Sequence, residues 1–142
     1  MDTKLQQLKD TFEMLPDWEE RYRFIIDLGR KLEPLPETAY RDENKVRGCM
    51  SQVWLIADEA GDGEQIRFLG DSDAHIVRGL IAVLLMIYSD KSPQEIVDTD
   101  IQAIFEELAL EQHITANRRN GLHSMVEAIR QLGARRLDAS TN

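Results

Sequence analysis

Cys49 is the only cysteine in the chain and lies in the segment Lys45-Val46-Arg47-Gly48-Cys49-Met50-Ser51-Gln52. A cysteine reacts as its thiolate, and positive surroundings raise the thiolate fraction. Arg41, Lys45 and Arg47 place three cations within seven residues just before the sulfur. Gly48 removes a side chain beside it, so another molecule's backbone can approach closely. Opposing this, a free cysteine commonly behaves as a small buried hydrophobe. Val46, Met50, Val53 and Trp54 supply apolar cover, and burial raises a thiol pKa while the cations lower it.

A lone thiol narrows the chemistry. It cannot close an internal disulfide, provide a resolving thiol, or build a cysteine-rich zinc or cluster site. A Cys–His hydrolase would need a histidine within hydrogen-bond reach. His75, His113 and His123 carry no such local pattern and read as surface or packing residues. No ligand spacing supports a metal, so none is expected. The remaining chemistry suits one thiol. It attacks a sulfur on a partner, holds the outer sulfur as a persulfide, and gives it up to a second partner, as in thiol–disulfide exchange.

The rest of the chain must position that thiol. At 142 residues, it has the size of one domain, with a core expected over about 5–137 and a frayed tail at 138–142. Hydrophobic residues make up 42% and charged residues 30%, enough apolar surface for a core and enough charge for solubility. The net charge of −9 disfavours phosphate backbones and anionic lipids, so neither nucleic acid nor membrane is an expected partner. No segment reaches the apolar length of a membrane span, and the N-terminus lacks the apolar run of a secretory signal. These features together point to the cytoplasm.

Leu5, Leu8, Phe12 and Leu15 fall on one helical face, ended by Pro16. Asp17 and Glu20 form a capping pair for a second helix carrying Trp18, Tyr22, Ile25, Ile26 and Leu32. Glu33 to Asn44, with Pro34 and Pro36, reads as a long loop. Gln52 to Ala57 reads as a strand covered by a helix on one face and partly on the other. Gly61, Asp62 and Gly63 signal a turn, and Gln65 to Leu69 supplies the antiparallel return. Gly70-Asp71-Ser72-Asp73 offers oxygens to cap a strongly apolar helix over about Ala74 to Ser89. Ser92-Pro93-Gln94-Glu95 opens a short helix, another follows from Asp100, and the last runs from about Asn117 to Leu137. The expected class is α+β: two helices, a small antiparallel sheet packed with helices, then four more helices.

The string Val46-Arg47-Gly48-Cys49-Met50-Ser51-Gln52-Val53-Trp54-Leu55 resembles the V-x-G-C-x-S-Q-V-W-L motif of the SufE family, sulfur-accepting partners of cysteine desulfurases. Two further segments extend the resemblance from about Leu5 to Leu132. One is Gly70 to Asp73 leading into Ile76-Val77-Arg78-Gly79-Leu80. The other is Thr115-Ala116-Asn117-Arg118-Arg119-Asn120-Gly121-Leu122, similar to T-P-S-R-x-x-G-L with Ala116 in place of proline.

The resemblance implies that Cys49 takes sulfane sulfur from a PLP-dependent desulfurase of the SufS or CsdA type, stimulates that enzyme, and delivers the sulfur to an iron–sulfur cluster scaffold complex. The PLP belongs to the partner, and this chain would carry no cofactor and act as a carrier rather than an enzyme. It also implies a fold akin to the IscU scaffold and a homodimer. Arg47, Gly48 and Ser51 flank the sulfur, Gln52 and Trp54 hold the loop against the sheet, and Arg118 supports the loop or the docking surface. Asp73 reads as a helix cap rather than a catalytic group, and His75 receives no role. The alternative is an IscU-like cluster scaffold, which one cysteine per chain cannot serve alone.

Overall fold

The computed structural model describes residues 3–48, 51–58 and 65–141, so Cys49 and the expected turn at 61–63 lie outside the described residues. Helices α1 (Thr3–Met14) and α2 (Trp18–Arg30) precede strands β1 (Val53–Asp58) and β2 (Arg67–Ser72). Helices α3 (His75–Tyr88), α4 (Pro93–Asp98), α5 (Ile101–Leu108) and α6 (Ala116–Thr141) follow. The architecture is α+β, as the sequence pattern implies. Asp17 caps α2 by accepting the Glu20 N–H at 2.9 Å. Ser92 and Glu95 form the reciprocal box that opens α4.

α3 is the centre. Leu80, Ile81, Val83, Leu84 and Ile87 are essentially inaccessible to solvent. Each such side chain contributes about 1.5–3 kcal/mol through burial. α2 packs along one side of α3, β2 along another, and α6 closes the remainder through Leu122, Met125, Val126 and Ile129.

β1 and β2 pair antiparallel, with Leu55 opposite Gly70 and Ala57 opposite Phe68. Val53, Leu55 and Phe68 face the main core. The other face, carrying Trp54, Ile56 and Leu69, is covered by Leu35 and Ala39 from the loop before the sheet. That loop holds two short 3-10 turns, Glu37–Ala39 and Asp42–Asn44. The strand is therefore apolar on both faces because it is sandwiched.

The structure differs from the sequence pattern at two places. The return strand runs to Ser72 rather than Leu69, so Gly70, Asp71 and Ser72 belong to the sheet, while the Ser72 hydroxyl also accepts the Ala74 N–H at the start of α3 at 3.2 Å. Gly70 marks a close approach: a Cβ there would sit 2.7 Å from both Ile81 Cγ2 and Leu55 Cδ2. The N-cap of α3 is Ala74, with no side-chain bond to the helix from that residue. At the other end, α6 continues to Thr141, past the helix end expected near Leu137. No helix of the described residues is long and apolar enough to cross a membrane.

Candidate functional site

The loop that carries Cys49 is clamped at its base. The Val46 N–H donates to the Val53 carbonyl at 2.8 Å, and Lys45 bridges antiparallel to Trp54. Lys45 also lies 5.8 Å above the Trp54 ring and forms an ion pair with Asp42 at 3.3 Å. Tyr40 packs edge-on against Trp54 at 5.1 Å. Its hydroxyl donates to Asp71 Oδ2 at 2.6 Å, and Asp71 Oδ1 lies 3.1 Å from Arg78 Nε. The Asp71 carboxylate raises the Tyr40 pKa, since the phenol donates to it and a phenolate would be repelled. The covering loop, β2 and α3 are thereby tied together beside the strand that leaves the cysteine loop.

Three more contacts fix the loop at residues adjoining the sulfur. Gly48 adopts φ +89°, the left-handed region where glycine is strongly favoured, and a Cβ on it would lie 2.5 Å from Ser124 Oγ on α6. The loop therefore rests directly on that helix. On the exit side, the Gln52 N–H donates to Asp73 Oδ1 at 3.0 Å and the Asp73 N–H donates to the Gln52 carbonyl at 3.3 Å. Asp73 is thus a brace on the loop rather than the helix cap the sequence suggests. Arg47, Gln52 and Asp73 are exposed, while Ser51 is half-buried.

Ser51 opens onto a cleft of about 260 Å³ between α3 and α6. Val77, Leu80, Leu122 and Met125 make its apolar wall, while Ser51, Thr115, Asn117 and Arg118 make the polar part of its lining. Arg118 is the charged residue of this lining, and no carboxylate of the described residues joins it there. Its backbone N–H donates to Thr115 Oγ1 at 3.3 Å, which caps α6, and its Nη1 donates to Tyr22 Oη at 3.5 Å. The structure therefore gathers Gly48, Ser51, Gln52, Asp73 and Arg118 around one loop and one cleft, with Arg47 on the exposed approach.

None of the three histidines lines this cleft. His75 is exposed at the start of α3, His113 stacks on Trp18 at 4.1 Å, and His123 lies 3.1 Å from Glu111. Among the described residues, no group of three or more His, Cys, Asp or Glu side chains could hold a metal ion. Sequence reasoning missed Ser124 and the Tyr40–Asp71–Arg78 linkage, and it gave Thr115 no role of its own. The spacing of Gly121, Ser124 and Ala128 on one face of α6 is a readable sign of close backbone approach.

The fold matches the solution structure of a hypothetical protein from Thermus thermophilus, with a TM-score of 0.78 at 21% identity, covering 97% of this chain and 98% of the other. That likeness defines the same α+β architecture. At the level of sequence, residues 6–133 match the SufE family, described as the Fe-S metabolism associated domain. Two uncharacterized SufE-like proteins are similar over most of their length. One, from Rhizobium meliloti, is 46% identical over 139 residues, which is 96% of this chain and 99% of the relative. The other, from Rhizobium etli, is 49% identical over 129 residues, which is 89% of this chain and 87% of the relative. The chain belongs to the SufE family.

Proposed function

We propose that this protein accepts sulfane sulfur on Cys49 from a PLP-dependent cysteine desulfurase of the SufS or CsdA type and passes it to iron–sulfur cluster assembly in the cytoplasm. The Cys49 thiolate attacks the terminal sulfur of the desulfurase's cysteine persulfide. A sulfur–sulfur bond forms at Cys49 as the one on the desulfurase breaks, and the donor cysteine leaves as a thiolate with the bonding electron pair. The terminal sulfur keeps its proton, and no net oxidation or reduction occurs. A second nucleophile, on the cluster-assembly side, then takes the outer sulfur from Cys49. PLP stays with the desulfurase throughout, and this chain contributes the thiol and its surroundings.

The observation that carries this reading is the bracing of the loop on both sides of the cysteine. Gly48 is seated on α6, Gln52 is held by Asp73, and Ser51 borders a cleft where Arg118 is the charged group. A persulfide held in this cleft would be shielded by its apolar wall from oxidants and small thiols. A cation on the lip favours the anionic sulfur formed during exchange.

Alanine formation from cysteine by a SufS-type desulfurase tests the proposal. Adding the protein is expected to raise the rate several-fold, in a manner dependent on Cys49. An unchanged rate at saturating protein would contradict it.

A further inference from the structure

Gly121, Ser124 and Ala128 follow one another at spacings of three and four, so they share one face of α6. Gly121 borders the cleft beside Ser51, and Ala128 borders a second groove beside Lys45 and Val46. Ser124 lies between them on that face and meets Gly48, where a Cβ would come within 2.5 Å of its hydroxyl oxygen and 3.4 Å of its Cβ. The segment before Cys49 therefore meets this face of α6 at Gly48, and Ser51 after it borders the same cleft as Gly121.

We propose that Ser124 is a positioning residue for sulfur transfer: its small size lets Gly48 seat on α6, and this fixes where the chain delivers the next residue, Cys49. The inference rests on Cys49 as the sulfur acceptor. Two causes confine position 48 to glycine, its left-handed φ and the closeness of Ser124. A change at 124 alters only the second. A larger side chain there pushes Gly48 off the helix without straining the loop backbone, whereas alanine leaves the seat intact.

Cys49 is the only cysteine, so the rate of iodoacetamide labelling of the isolated protein reports on this position without any desulfurase. Ser124→Leu is expected to label several-fold faster than wild type at an unchanged helical circular-dichroism signal, and Ser124→Ala to label at the wild-type rate. Sulfur acceptance from a desulfurase should fall for Ser124→Leu and not for Ser124→Ala. A second pair covers the case where Ser124→Leu fails to fold. Gly48→Ala perturbs labelling through both causes, and adding Ser124→Gly removes the steric one, so the double variant should return part of the way to wild type. A folded Ser124→Leu protein that labels like wild type, or a double variant no closer to wild type than Gly48→Ala, would overturn the assignment. Wild-type protein that accepts no sulfur would remove the functional reading instead, and the labelling result would stand on its own.

Discussion

Asp73 and Gln52 hold each other through a reciprocal pair of hydrogen bonds, 3.0 Å from the Gln52 N–H to Asp73 Oδ1 and 3.3 Å from the Asp73 N–H to the Gln52 carbonyl. Gln52 is the last residue before β1, and Asp73 is the first after β2, so the pair extends the sheet by one rung, half of it made by a side chain. This rung fixes the point where the cysteine loop joins rigid structure.

Asp73→Ala removes the acceptor from the Gln52 N–H and should loosen the exit of the loop. Cys49 labelling is expected to accelerate, with a stability loss of about 1 kcal/mol, typical of one hydrogen bond at an exposed site. Asp73→Asn keeps an oxygen acceptor and should lie near wild type in both measures. Equal labelling by wild type and Asp73→Ala would show that the brace does not hold the loop.

Arg118 gives a different signature. It is half-buried, and the bond that caps α6 uses its backbone N–H rather than its side chain. Arg118→Ala should therefore leave the melting temperature nearly unchanged while slowing sulfur acceptance by about tenfold, the scale of one charge-assisted hydrogen bond. Arg118→Lys keeps the charge but loses the planar fork, and should recover only part of the rate. Transfer that survives Arg118→Ala intact would place the residue outside the chemistry.

Tyr88 sets an alkaline limit to stability. It is fully buried, its hydroxyl has no hydrogen-bond partner among the described residues, and burial pushes its pKa up to about 12. In the unfolded chain the phenol titrates near 10. Between these values the unfolded chain releases a proton that the folded one retains, so unfolding is favoured as pH rises. The contribution is full below about pH 10 and is lost as pH approaches 12. Urea midpoints of wild type should fall across this window more steeply than those of Tyr88→Phe. Parallel slopes would contradict the burial argument.

The helices were legible because their periodic apolar faces and caps, such as Asp17 and Ser92, are local signals. The family was legible because Cys49 stands alone in a glycine-flanked, cation-rich segment within a long contiguous motif. What the sequence could not supply was long-range. Gly70 reads locally as the start of a helix-capping segment, yet the strand continues through it, with Ile81 and Leu55 close against the position where a side chain would be. Asp73 reads locally as a cap, yet its carboxylate is claimed by Gln52, 21 residues away in sequence. Ser124 shares a small-residue face of α6 with Gly121 and Ala128, but that spacing does not name its partner, Gly48, which only the fold brings to it.

The central claim is that Cys49 itself holds the transferred sulfur. The most direct measurement is the intact mass of the protein after incubation with a SufS-type desulfurase and cysteine, for wild type and for Cys49→Ser. A serine oxygen is close in size to the thiol but cannot hold a sulfane sulfur, so the variant is expected to fold and to gain nothing. Wild type is expected to gain the mass of one or more sulfur atoms, removable by a reducing thiol. No gain on wild type, or an equal gain on Cys49→Ser, would contradict the account.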